Sequence, residues 1–209
     1  MFFKKSEKYI VADLEERGLL FKDEPYTHSY PFCWRCATPL YYNAVPAWFI
    51  NIQKVKKRMI ELNQDINWYP EHLKEGRFGK GLETAPDWNI SRNRYWGTPL
   101  PVWECDESAC EEVVVLGSIQ ELSDKTSKPV AEITDLHLPE IDHYSWPCEK
   151  CTGSMKRVSQ VFDCWVESGS MPFASMHYPF ENKEHFEQNF PGEFIAEYIA
   201  QTRGWFYTL

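Results

Sequence analysis

Seven cysteines carry the clearest chemistry in this 209-residue chain, at positions 33, 36, 105, 110, 148, 151 and 164. Cys105-x4-Cys110 and Cys148-x2-Cys151 offer four thiolates from two knuckles, the tetrahedral pattern of a structural zinc site, with the x4 spacing at the wide end of what a knuckle tolerates. Reduced free thiols are the alternative reading of the same four residues. Cys33 and Cys36 form half of such a site. Cys164, between Asp163 and Trp165 and with no obvious histidine partner, reads as packed rather than nucleophilic. A second centre is Asp87–Pro101, DWNISRNRYWGTPLP, where Trp88, Arg92, Arg94, Tyr95 and Trp96 interleave cations with rings. Guanidinium forks grip phosphate or carboxylate and stack on aromatic faces, so the stretch suits an anionic ligand. An Arg–aromatic packing seam is the competing reading. Gly97 allows a tight turn after the rings, and Pro99 and Pro101 stiffen the exit from it.

The elements that must hold these groups can be read from periodicity and punctuation. Ser6–Leu20 reads as a helix capped by Ser6, with Ile10, Val11 and Leu14 on one face and Gly18 ending it. Prolines 25, 31, 39 and 46 mark residues 21–48 as loop and short strands. Asn51–Asn63 reads as an amphipathic helix with Ile52, Val55, Met59 and Leu62 inward. Val113–Leu116 is a strand, and Cys148–Cys151 a turn closed by Gly153. Val158–Val166 is expected as a strand running into a turn at Ser168–Ser170. Asn182–Phe190 is expected as a helix, Glu193–Ile199 as a buried strand, and Gln201 onward as a helix. The chain stops at Tyr207-Thr208-Leu209 inside an apolar pattern, which gives the expectation of an excised piece.

Composition is that of an ordinary globular protein, with 43% hydrophobic and 25% charged residues, but nine tryptophans are many. No apolar run approaches the ~18–20 residues of a membrane span, and MFFKKSEKYI lacks the order of a signal peptide. A cytoplasmic location with no membrane partner is therefore expected, where cysteines are thiols or metal ligands rather than disulfides. Residues 104–142 hold eleven acids against two lysines, which equals the whole formal charge of −9. Such a block repels nucleic acid and belongs on solvent, away from any RNA path.

Three segments carry a resemblance. Asp87–Pro101 resembles the WxxSRxRYWGxP signature of the class I isoleucyl-tRNA synthetases and their valyl and leucyl relatives. Asp163–Gly169, DCWVESG, resembles their D-x-W-[FV]-[DE]-S-G, and Phe194–Leu209 resembles the block containing Q-T-R-G-W-F. The run SGSMPFASMHYPFEN is similar to the isoleucyl branch in its eukaryote-like form. The match runs in order over essentially all of the chain.

The resemblance implies an α/β fold, a partial Rossmann-like catalytic core carrying a small zinc-knuckle β/loop insertion. It divides the chain into the trailing edge of an editing insertion (1–46), a first core segment (47–100), the acidic insertion with the knuckles (101–158) and a second core segment (159–209). It implies that Trp165 and Trp205, 40 residues apart, line an isoleucine side-chain pocket. Glu197 and Gln201 match the ammonium- and adenylate-binding E-G-x-D-Q block, but Tyr198 stands for its Gly and Ala200 for its Asp. On residue chemistry alone Glu197 reads as a strand-end carboxylate and the tryptophans as core. Arg92, Arg94 and Trp96 become tRNA- or anion-binding residues. Cys105, Cys110, Cys148 and Cys151 become structural zinc ligands. Cys33 and Cys36 lack the family's upstream CxxC and are expected empty or weakly bound. ATP, isoleucine and tRNA(Ile) are the implied substrates of the full-length enzyme. The family's HIGH and KMSKS ATP signatures do not occur, so the isolated chain is expected to be inactive and, with sheet edges exposed, to self-associate. A freestanding zinc-stabilised RNA-binding or interaction module is the alternative; the even charge outside residues 104–142 argues against it.

Overall fold

Strand pairing around Trp103 builds the main core. The computed structural model describes residues 5–209; the chain divides into two units, Met1–Val45 and Pro46–Leu209. In the second unit β4 (Val102–Cys105) lies between β5 (Val113–Val115) and β7 (Ser154–Arg157), and β6 (Trp146–Pro147) pairs with the far side of β7. All pairs are antiparallel, with Trp103 opposite Val114 and Arg157, and Met155 opposite Cys105 and Trp146. Alternation sends Trp103 and Met155 into a cluster with Leu116, Leu122, Ile133, Ile141, Tyr144, Trp146 and Cys148. The indole of Trp103 donates to Tyr144 O at 2.8 Å, so its one polar atom is satisfied where it is buried. Val102, on the opposite face, packs with Leu100 and Val158.

α4 (Ile119–Thr126) covers the first cluster through Leu122. Its start is doubly capped: the Ser118 hydroxyl accepts Glu121 N at 3.2 Å, and the Glu121 carboxylate accepts Gly117 N at 2.8 Å. Backbone bonds then run from this sheet to the rest of the unit as a two-stranded ribbon. Val158 N donates to Val102 O at 2.9 Å, Leu100 N to Gln160 O at 3.2 Å and Phe162 N to Thr98 O at 2.7 Å. The buried Arg157 guanidinium clamps this neck by donating to Leu100 O, Gln160 O and Asp142.

Beyond the neck, β3 (Ser91–Arg92) pairs with β8 (Val161–Phe162), and β1 (Phe49–Ile50) with β2 (Trp88–Asn89), again antiparallel. α2 (Ile52–Asn63) starts at Asn51, whose side chain accepts Lys54 N at 3.2 Å. Its buried residues are Ile52 and Asn63; of the inward face read from the sequence Ile52 is buried and Met59 half-buried, while Val55 and Leu62 are exposed. Asn63 is a connector: it accepts the Trp68 indole at 2.8 Å and donates to Lys74 O at 3.0 Å. α3 (Gly79–Glu83) comes after two short helical turns at Glu71–Leu73 and Lys74–Phe78.

The C-terminal quarter departs most from expectation. Val161–Phe162 is all that forms of the strand expected at Val158–Val166. α5 (Cys164–Ala174) begins directly after it and absorbs the expected Ser168–Ser170 turn. α6 (Lys183–Asn189) forms as expected. Glu193–Ile199 is no buried strand: Phe194, Ile195, Tyr198 and Ile199 are exposed, and a 3-10 turn at Ile199–Arg203 leads into α7 (Trp205–Thr208). No parallel strand pair occurs among the described residues, so they do not by themselves form the parallel sheet of a Rossmann-like core. Parallel strands are joined by crossovers and covered on both faces, and residues 193–199 have no neighbouring strand to accept them.

The first unit has α1 (Glu7–Glu16), shorter than expected, with none of its residues buried. Gly18, at φ +63°, lets Leu19 and Leu20 fold back onto Leu14 O. Cys33–Cys36 lies in a tight turn closed by Ala37 N to Cys33 O and Cys33 N to Thr38 O, both 2.8 Å.

Candidate functional site

The four thiols read as a metal set converge. Cys105 ends β4, Cys110 lies in the β4–β5 connection, and Cys148 and Cys151 sit in the β6–β7 turn, so the sheet brings both knuckles to one end. Their sulfurs all lie within 4.8 Å of one another, with Cys105–Cys151 at 3.3 Å and Cys110–Cys148 at 3.8 Å. A tetrahedral Zn–S length of about 2.3 Å requires sulfurs about 3.8 Å apart, so the set fits a thiolate-bound ion. Amides point at the sulfurs as well: Lys150 N reaches Cys148 at 3.4 Å and Gly153 N reaches Cys151 at 3.3 Å. Gly153 must lack a side chain, because a Cβ there would lie 2.8 Å from Cys105 Sγ. Lys156–Asp106 at 2.9 Å, Lys125–Glu149 at 2.6 Å and Lys150–Glu112 tie the knuckles to the sheet and to α4.

The thiols are electrostatically unequal. The Lys150 amide, against the effect of burial, draws Cys148 down to about 7. At Cys105 the Glu107 amide pulls downward, but burial and hydrogen bonding with Cys151, Cys148 and Cys110 outweigh it and push the thiol up to about 12. Cys110 is likewise raised, against the downward pull of the Glu112 amide, by burial and Cys151. One sulfur is thus ready to ligate near neutrality, while two others surrender protons to an arriving cation.

The two tryptophans also meet. Trp165 and Trp205 line one concavity of about 330 Å³ together with Ser168, Met171 and Gln201. Trp165 comes from the first turn of α5, where the Asp163 carboxylate accepts Trp165 N at 3.5 Å. Trp205 is held three ways. Its indole N–H donates to Ser168 O at 3.0 Å, its backbone N–H donates to Gln201 Oε1 at 2.9 Å, and Phe206 beside it packs on Trp68 with ring centroids 6.1 Å apart. Arg77 donates to Thr202 at 2.8 Å and anchors the 3-10 turn that carries Gln201. At Gly204 a Cβ would stand 2.7 Å from Gln201 Oε1 and 3.2 Å from the Trp165 ring. Glu197, expected beside Gln201, is exposed and does not line this concavity.

The Arg–aromatic stretch divides in two. Arg92 turns inward: it donates to the buried Asp163 carboxylate at 2.6 Å and to Asn89 O and Ser91 O. Asp163 thereby caps α5 and fastens it to β3, and Thr98 donates to Glu167 one turn further on. The packing-seam reading therefore describes Arg92. Arg94 and Trp96 behave otherwise. Trp96 is 78% exposed with Tyr95 edge-on at 5.2 Å, and Arg94 is exposed with no hydrogen bond or ion pair among the described residues. Gly97, at φ +147°, is required twice over, since a Cβ would also meet Val161 at 2.9 Å.

Cys33 and Cys36 belong to the other unit. Cys36 is exposed and donates to Thr38 Oγ1 at 3.1 Å, a bond that heads the causes lowering its pKa. Cys164 is exposed, not packed as expected. Sequence reasoning missed Ser168, Met171, Gly204 and the tie from Asp163 to Arg92. The i, i+3 spacing from Trp165 to Ser168 and Met171 was a helical signal hidden by Gly169 inside it and Pro172 directly after it.

Comparison with known proteins shows the family. The family model "tRNA synthetases class I (I, L, M and V)" matches residues 2–209. Isoleucine–tRNA ligase 2 of Pseudomonas fluorescens is 54% identical over 200 residues, covering 96% of this chain and 19% of that protein. The isoleucine–tRNA ligases of Treponema denticola and Thermus thermophilus are 54% and 52% identical over 209 residues, all of this chain and 18% and 20% of theirs. The chain thus spans about one fifth of the length of these curated relatives. With a match from its second residue to its last, it belongs to the class I tRNA synthetases of the I, L, M and V group.

Proposed function

We propose that this chain supplies the amino-acid pocket and a portion of the adenylate and tRNA 3′-end site of an isoleucine–tRNA ligase, which joins isoleucine to tRNA(Ile) with conversion of ATP to AMP and pyrophosphate. The observation that carries this reading is the convergence of Trp165 and Trp205, from motifs 40 residues apart, on one concavity. Flat indole walls and the Met171 thioether suit a branched aliphatic side chain. Gln201 brings a polar group to the rim, and its Oε1 is already engaged by Trp205 N. Such a pocket separates isoleucine from valine by only about 1–3 kcal/mol per methylene. The work of these residues is positioning and charge stabilisation rather than covalent chemistry.

In the whole enzyme residues 47–100 and 159–209 join a Rossmann-like core, residues 1–46 trail an editing insertion, and residues 101–158 form the metal-bearing insertion. Glu197 then reaches the substrate ammonium, and Arg94 with Trp96 faces tRNA. The cysteine set holds zinc. Its role is to close two turns, since no open coordination position is left for substrate. The reading places the protein in the cytoplasm; no helix among the described residues is long and apolar enough to cross a membrane.

The test is a chimera in which this chain replaces the matching fifth of the Treponema denticola relative. Isoleucine-dependent pyrophosphate exchange should persist, and Trp205→Ala should raise the KM for isoleucine at least tenfold while leaving that for ATP within about twofold. An inactive but folded chimera, or equal effects on both KM values, would overturn the reading.

A further inference from the structure

α5 contains two residues that weaken helices, Gly169 and Pro172, in the middle and last turns of an eleven-residue helix. Both find their explanation in α7. Proline has no N–H, so Pro172 leaves the carbonyl of Ser168, four residues earlier, without its helical donor. The Ser168 carbonyl instead accepts the indole N–H of Trp205 at 3.0 Å. Gly169 has no Cβ, and a Cβ built there would lie 2.2 Å from Thr208 O, so only glycine admits the backbone of α7 at this distance. One missing donor and one missing side chain, three residues apart, thus open a slot on α5 that α7 fills.

We propose that Pro172 is a positioning residue for the amino-acid pocket: by withdrawing its own N–H from the helix ladder it reserves the Ser168 carbonyl for the Trp205 indole and so fixes the angle of that pocket wall. The role of the pocket rests on the reading given above, but the bond and its cause do not. A carbonyl has two lone pairs, yet a helical N–H restored at position 172 would approach along the helix axis and force the indole donor off its line. The restored donor would favour the helix and disfavour the pocket. That opposition separates positioning from a merely structural role, in which both would weaken together.

The experiment compares the chain with its Pro172→Ala variant by thermal unfolding and by hydrogen exchange of the tryptophan indole N–H groups in 15N spectra, Trp205→Phe assigning the resonance. The expected result is an unchanged or higher midpoint together with exchange of the Trp205 indole at least tenfold faster, the Trp103 indole being unaffected. An unchanged Trp205 indole overturns the proposal, as does a variant that unfolds. A double-variant cycle gives an independent decision. Trp205→Phe should lower the midpoint by roughly 2–4 °C in the parent and by clearly less in the Pro172→Ala background, whereas equal shifts count against the proposal. Addition of isoleucine to the same samples tests the pocket reading separately: a slot that behaves as described, with no isoleucine response in either protein, would sink that reading and leave this one standing.

Discussion

Asp163 shows how much a single carboxylate decides. It begins α5, accepts the amide of Trp165 and neutralises Arg92, all while buried. Asp163→Ala removes a helix cap and strands a guanidinium, and should cost about 2 kcal/mol, the half-exposed Arg92 moderating the loss. Urea unfolding will read this, and a loss under about 0.5 kcal/mol would show the pair to be idle. Gly204→Ala should be tolerated by the fold but not by the pocket, because the new methyl meets Gln201 and the Trp165 ring. We expect destabilisation of about 1–2 kcal/mol with loss of any isoleucine response, measured by calorimetry and titration. At this scale the sequence was informative where chemistry comes in unmistakable types: four cysteines and two tryptophans sit together as their spacing and resemblance led one to expect. At Arg92 it left two readings open, because a cation bound for an internal carboxylate looks the same in sequence as one bound for phosphate.

Elements tell a different story. Of the strands that hold the knuckles only the β-branched run Val113–Leu116 was legible, and it forms β5 (Val113–Val115); the metal set inherits its geometry from the whole sheet. Metal binding must displace protons from Cys105 and Cys110, raised above the ordinary thiol, while Cys148 at about 7 is partly ionised already. In the metal-free chain Cys105 contributes stability that is present below pH 9 and lost as pH climbs toward 12; Cys148 contributes stability present above pH 9 and lost as pH falls through 7. Apparent zinc affinity should therefore rise steadily from pH 6 to 8, as competition with a chromogenic chelator will measure; a flat profile would mean the thiols are not the ligands. Cys148→Ser should drop zinc from one ion per chain to well below that by elemental analysis. α5 was the element least legible in advance. Serine and glycine at 168–170 read as a turn, and only docking of α7 gives those residues a helical setting.

On the scale of the molecule, the acidic residues 104–142 belong largely to a well-packed sheet subdomain, whereas the flank at 193–199 exposes Phe194, Ile195, Tyr198 and Ile199. A strand pattern without partner strands cannot bury its side chains, which is why Glu193–Ile199 read as core in sequence and lies on the surface here. Exposed rings at this density should drive association, so sedimentation velocity should show the weight-average mass rising with concentration above 24.7 kDa; a concentration-independent monomer would contradict this. The chain lacks HIGH and KMSKS and should show no pyrophosphate exchange on its own. The concavity between Trp165 and Trp205, proposed above as the side-chain pocket, lies wholly within it. Burial of one branched side chain gives roughly 2–3 kcal/mol, which corresponds to binding on the order of millimolar or weaker. The most direct measurement is a titration of the 15N-labelled chain with L-isoleucine, following its indole N–H resonances. The account predicts saturable shifts of Trp165 and Trp205 while Trp34 and Trp103 stay fixed, with L-lysine producing none. Shifts spread over all indoles, or none at Trp165 and Trp205, would contradict it.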